Sequence, residues 1–194
     1  MTKEVQQFKN YLTGIISMDD DTFDLCVEFL KVKVLKKGEF FVREGNVCNH
    51  IAFIEEGLFR IYYVKDGNEV NSCFCTENSI TSSFGSFINR TSSDEYIQAI
   101  EDAVLVTLSH ENLLKLYKMS PVWQSVGLLL TEKECLRLTN RASSLSFETA
   151  VEKYKNILQF QPEIIQRVSV QNIASYIGVS RETLSRIRSK IAKE

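Results

Sequence analysis

The chain has 194 residues, a net charge of −2 and an apolar share of 44%. That length fits one large domain or two small ones, and that composition supports a packed core. There is no apolar run of the ~18 residues a membrane span needs. The N-terminus lacks the charged-then-apolar pattern of a secretory signal, so a cytoplasmic protein that stays out of membranes is expected. The five cysteines are odd in number and scattered, which fits reduced thiols rather than a disulfide framework.

Residues 3–16 read as a short amphipathic helix carrying Val5, Phe8, Tyr11 and Leu12. Met18-Asp-Asp-Asp-Thr supplies cap-like acids before a second helix with Phe23, Cys26, Val27 and Leu30. The Asp19 run is better suited to the positive end of that helix than to a metal. From Val32 the pattern changes to short alternating runs punctuated by turns. Lys37-Gly38 precedes 39–43, and Glu44-Gly45-Asn46 is a turn. Residues 51–55 and 58–64 flank Gly57, and Asp66-Gly67-Asn68 is a strong hairpin turn. Residues 70–75, 96–99 and 103–108 continue the series, which favours a compact β-sandwich or barrel.

Helical reading returns at Ser109, a serine N-cap ahead of Leu113, Leu114 and Leu116. Pro121 opens a long helix that runs to about Leu145. Leu128, Cys135 and Ala142 fall at one heptad phase, and Thr131, Leu138 and Leu145 at the other. The stripe has one polar gap, at Thr131. It reads either as a parallel two-helix seam between subunits or as a face packed on the β-domain. Ser146-Phe-Glu-Thr starts another helix to about Phe160, and Pro162 with its polar neighbours links that helix to the C-terminal segment.

The stretch from Val170 to Arg188 reads as a helix-turn-helix. Ile173, Ile177, Val179, Leu184 and Ile187 give two short helices a shared core, and Ala174 is small where they cross. Gly178 sits at the turn, where a left-handed backbone favours glycine. Ser180 caps the second helix. Arg181, Glu182, Ser185, Arg186 and Ser189 are left on the outer face. In such a motif the second helix enters the major groove with its N-terminal side chains leading. Residues 168–194 carry a local charge of +3, against −5 for residues 1–167. Phosphate affinity follows local cations rather than the chain's sum.

The order of N-terminal helices, strands, long helix and helix-turn-helix resembles the cAMP receptor protein/FNR (Crp/Fnr) family of bacterial transcription regulators. Val179-Ser-Arg-Glu-Thr-Leu-Ser-Arg-Ile is similar to that family's recognition helix. Gly57 within Phe53-Ile-Glu-Glu-Gly-Leu-Phe-Arg-Ile matches its glycine between β-roll strands. The resemblance implies an α+β fold: a β-roll of the cyclic-nucleotide-binding, cupin-like or jelly-roll kind over 1–120, a dimerisation helix over 121–145, and a helix-turn-helix domain over 146–194. It implies a homodimer that reads a palindromic double-stranded DNA operator, senses a small-molecule effector and meets RNA polymerase. Arg181, Glu182 and Arg186 would be base readers, with Ser185 beside them. Arginine bonds guanine bidentately and glutamate accepts from cytosine. Gln171, Thr183 and Arg188 are better placed for phosphates. The chain stops at Glu194, so any wing strands are expected before the motif, around 164–168, with DNA affinity leaning on Arg188, Lys190 and Lys193.

The segment from Ser82 to Asp94 departs from the family's cyclic-nucleotide pattern. Ser83 aligns with the ribose-binding glutamate, and Ser93 with Asp94 with the phosphate-binding pair. An aspartate there repels a phosphate. Arg90-Thr91 could serve instead if the loop is shorter. Cyclic AMP is therefore disfavoured, and the expected effector pocket of Ser82, Ser83, Arg90, Thr91, Ser93, Asp94, Leu138 and Thr139 takes an unidentified small molecule. No cofactor or metal is expected. Cys73 and Cys75 share one strand face and read as core packing, and His50 and His110 as solvated. A thiol redox sensor and a protein-interaction module are the alternatives. An enzyme is not expected, because neither a phosphate-binding glycine loop nor a nucleophile elbow is present.

Overall fold

The computed structural model describes residues 1–192, so Lys193 lies outside the described residues. Packing divides the chain into two compact units. One joins Met1–Ile61 to Cys75–Glu134; the other joins Tyr62–Phe74 to the chain from Cys135 onward. The boundaries follow packing rather than element order, so a hairpin tip is grouped with the C-terminal helices.

The first unit opens with α1 (Lys3–Thr13), capped by the Thr2 hydroxyl and ending before Gly14, three residues short of the sequence reading. Asp19 accepts from the Thr22 N–H at 2.8 Å and starts α2 (Asp20–Val27), as its acids imply. The strands are β1 (Lys31–Leu35), β2 (Phe40–Val42), β3 (His50–Glu56), β4 (Phe59–Lys65), β5 (Asn68–Cys75), β6 (Ser79–Thr81), β7 (Tyr96–Ala99) and β8 (Ala103–Ser109). They form two four-stranded sheets, ordered β1-β8-β3-β6 and β2-β7-β4-β5. The fold is α+β, a β-roll followed by helices. Asp66 and Gly67 both take positive φ, 51° and 76°, as a tight hairpin between β4 and β5 demands.

The strand β3 does not alternate as expected. Residues 51–55 are all buried. It pairs with β8 on one side and β6 on the other, and α1 covers one of its faces. The Phe8 and Tyr11 rings lie 5.4 and 5.2 Å from that of Phe53. Burial on both faces yields a continuous apolar run rather than a period of two. Just past β3, Gly57 has φ 103°. A Cβ built there would lie 2.6 Å from the Ala103 Cβ and 2.8 Å from the Asp102 carbonyl oxygen. Only glycine fits that crossing.

Two further elements were not read from sequence: β6, and the short helix α3 (Phe84–Asn89) inside the expected loop of 82–94. The helix α4 (His110–Met119) starts where Ser109 caps it. From Pro121, α5 (Pro121–Phe147) runs 27 residues, two beyond the expected end. Its first turns bury Trp123 and Val126, and the Trp123 indole N–H donates to the Thr22 carbonyl at 3.0 Å.

In the second unit, Thr149 and Glu152 form a reciprocal capping box at α6 (Ala150–Phe160). The expected wing strands at 164–168 are not there. Pro162 instead opens α7 (Pro162–Arg167), its fixed φ preorganising a first turn that buries Ile164. Then come α8 (Val170–Ile177) and α9 (Arg181–Ile191). The hydroxyl of Ser175 on α8 donates to the Glu69 carbonyl at 2.8 Å and accepts from the Asn71 N–H at 3.0 Å, tying α8 to the β5 hairpin tip. No described helix is long and apolar enough to cross a membrane.

Candidate functional site

The α8–α9 pair is built from its turn outward. Gly178 takes φ 89°, and the N–H groups of Gly178 and Val179 both reach back to the Ala174 carbonyl, at 2.9 and 3.0 Å. These bonds close α8 and reverse the chain within three residues. Ser180 then accepts from the Thr183 N–H at 3.2 Å and opens α9. Ile173, Ala174, Ile177, Leu184 and Ile187 are buried between the helices, while Val179 stays half-buried.

Everything polar on α9 is left outside. Arg181, Glu182, Thr183, Ser185, Arg186, Arg188 and Ser189 are exposed, as is Gln171 on α8. Arg181, Ser185 and Arg188 recur at helical spacing and, with Val170, Ser189 and Ala192, line one shallow groove of about 440 Å³. Arg188 thus lies on the same groove as Arg181 and Ser185. Glu182 and Arg186, four apart, lie on the neighbouring face. Val170 and Ala192 escaped the sequence reading. Val170 directly precedes Gln171, and Ala192 lies one turn past Arg188.

One charge on this face runs against the helix dipole, while Arg188 and Lys190 in the last turn suit it. Arg181 occupies the first position of α9, where the positive end of the helix dipole disfavours a cation. Glu182 suits that place. Its carboxyl is held below the usual range first by its own backbone N–H, then by the Ser180 hydroxyl, with Arg181 and Arg186 adding. Arg181, Arg186, Arg188 and Lys190 form no ion pair among the described residues.

The segment of the expected effector pocket is arranged in the opposite way. Ser82, Ser83 and Ser93 are brought together but buried. The Ser83 and Ser93 hydroxyls bond each other at 2.9 Å, and Ser93 also donates to the Glu95 carbonyl at 2.8 Å. Ser83 sits at the N-cap of α3, yet its hydroxyl is spent on Ser93 and caps nothing. Ser82 donates to the His50 carbonyl at 3.1 Å. Arg90 donates to the carbonyls of Cys48 and Phe87, at 2.8 and 3.1 Å, and to Asn49. The Thr91 carbonyl accepts from Ser86, and the side chains of Thr91 and Asp94 are exposed. Leu138 and Thr139 belong to the second unit and are exposed on α5.

The cysteines differ by position. Burial pushes the Cys26 thiol up to about 12, which keeps it protonated and inert. Cys48 and Cys73 are buried, Cys75 half-buried and Cys135 exposed. Burial, helped by Lys33, Lys31 and Arg90, holds His50 below the ordinary histidine value of 6.5. Burial, with Arg90 adding, does the same to His110, whose ring stands edge-on to Phe87 at 5.0 Å. Among the described residues no three His, Cys, Asp or Glu side chains converge as a metal site.

No relative was found among curated protein sequences. Solved structures share the fold. A protein described as a transcriptional regulator of the crp/fnr family from Eubacterium rectale superposes with a TM-score of 0.73 at 16% identity, over 94% of this chain and 88% of its own. The c-di-GMP responsive global regulator CLP from Xanthomonas campestris gives 0.71 at 21%, over 90% and 92%. FixK2 from Bradyrhizobium japonicum gives 0.70 at 19%, over 84% and 85%. Residues 32–120, from β1 to the end of α4, match the family described as the cyclic nucleotide-binding domain.

Proposed function

We propose that this protein is a sequence-specific DNA-binding transcription regulator of the Crp/Fnr type, acting as a homodimer and not as an enzyme. The observation that carries the reading is the outer face of α9. Arg181, Glu182, Ser185 and Arg186 stand exposed on its N-terminal half, and the arginines form no salt bridge among the described residues. A major-groove helix needs this arrangement, with base-reading side chains leading and cations unspent. Selection of bound duplexes from a random pool tests it. A two-fold-symmetric site is expected; recovery of no motif, with or without candidate effectors, overturns it.

The heptad stripe of α5 supports the dimer. Leu128, Leu138 and Leu145 are 60%, 52% and 54% exposed, and Thr131, Cys135 and Ala142 are exposed with them. Among the described residues this stripe stays exposed, so a second copy is its natural cover. In a parallel seam Cys135 faces its own symmetry mate. Mild oxidation should therefore give a disulfide-linked dimer, absent in Cys135→Ser, on a non-reducing gel.

The β-roll segment favours an effector other than cyclic AMP. The hydroxyls of Ser83 and Ser93 are satisfied by each other, and the Arg90 guanidinium is spent on carbonyls and Asn49. No cation of that segment is offered to a phosphate. RNA polymerase is a further partner of this reading.

A further inference from the structure

We infer that a second site, in the unit that carries α8 and α9, binds a small organic anion with an apolar body. A cleft of about 440 Å³ opens there between the second half of α5, α6, the C-terminal end of β5 and Tyr176 of α8. That volume lies within the ~300–1,000 Å³ of small-molecule pockets. Its cations are Arg137 and Arg141 from α5 and Lys153 from α6. Its one acid, Glu148, is already occupied. Ser144 donates to one oxygen at 2.5 Å and Asn156 to the other at 2.9 Å. The wall therefore carries a net charge of +2 with its carboxylate engaged. Phe74, Ile157, Phe160 and Tyr176 supply apolar surface beside those cations.

The position gives the site a consequence. The Arg141 guanidinium lies flat over the Tyr176 ring, 3.8 Å from its centre, and donates to the Tyr176 carbonyl at 2.5 Å. From the end of β5, Phe74 meets the same ring at 5.3 Å. Tyr176 lies two residues before the Gly178 turn. An anion held by Arg141 and Lys153 would bear on α5, α6 and α8 together and fix the pose of the reading pair. Its standing as an effector site rests on the proposed regulator function; the binding itself does not.

The test uses the full chain and two dyes of one shape: anilinonaphthalene sulfonate and its neutral parent, N-phenylnaphthylamine. Fluorescence titration should show the sulfonate binding about tenfold tighter or more, the worth of one charge-assisted contact. Arg141→Gln and Lys153→Glu should each weaken the sulfonate about tenfold and leave the neutral dye unchanged. A thermal melt shows which variants are folded, and the comparison is read on Lys153→Glu even if Arg141→Gln loosens α8. Equal binding of both dyes overturns the proposal, as does a folded Lys153→Glu that binds the sulfonate like wild type. Displacement of the dye by random duplex also overturns it, because the cleft would then take nucleic acid. The titrations need no DNA, so they decide the site even if the duplex selection fails. Where a duplex is recovered, the sulfonate should shift its affinity in wild type and not in Lys153→Glu.

Discussion

The segment from Ser82 to Asp94 and the helix α9 have similar polar residues and use them in opposite senses. The first engages the hydroxyls of Ser82, Ser83 and Ser93 and its arginine with groups of its own unit, among them the carbonyls of His50, Cys48 and Phe87. The second satisfies its cap, through Ser180, and bonds Ser189 back to the Ser185 carbonyl, but leaves three arginines and a lysine facing solvent. A polar group already bonded within its own unit contributes to folding, and a ligand must first break that bond to use it. A polar group left unpaired at a surface contributes little to stability and remains available for recognition. Composition does not separate the two cases; partnership does.

The largest way to break the contrast is to remove the core beneath α9. Leu184 is wholly buried between α8 and α9, and Leu184→Ala should cost about 2–5 kcal/mol, read by chemical denaturation of the full chain. DNA binding should vanish with it, because the outer face depends on that packing. Next comes a matched pair of arginines. Arg186→Ala should lose about 1–3 kcal/mol on the selected duplex and relax one base pair of its motif. Arg90→Ala should leave DNA affinity unchanged and lower the melting temperature. A reversal of these two results would defeat the assignment of roles. Smaller is Ser83→Ala, about 0.5–1.5 kcal/mol by denaturation, since Ser93 keeps its bond to the Glu95 carbonyl.

The mildest perturbation is pH. His50 and His110 both have folded values depressed below 6.5, so the folded state binds protons less readily than the unfolded chain. Their contribution is fully present above that value and is lost on acidification. Melting temperature should fall as pH drops from about 7 to about 5, and His50→Gln should flatten that slope. A melting temperature that rises over this range would contradict the assignment.

What the sequence disclosed was local. Asp19, Ser109 and Ser180 announce helix starts because a cap needs only a few residues of context. The same holds for Gly178 and for Asp66-Gly67. The exposed face of α9 was legible because its apolar positions repeat at helical spacing. What stayed hidden was tertiary. β3 loses its alternation because α1 arrives from elsewhere in the chain, and 164–168 reads as strand until Pro162 is seen to open a turn. Arg137, Asn140, Arg141 and Ser144 recur at helical spacing on α5, a polar stripe that was visible in the sequence. Only folding brings Lys153, Phe74 and Tyr176 to it.

The two hydrogen bonds of Ser175 bear on how fragments of this protein will behave. β5 is the outermost strand of its sheet, and its backbone at Glu69 and Asn71 is bonded by one serine side chain from α8. A fragment cut before α8 would leave that strand an open template for pairing with another molecule. The isolated β-roll should thus be the aggregation-prone piece of this protein, and a lysine or proline placed near Glu69 should be what keeps it in solution.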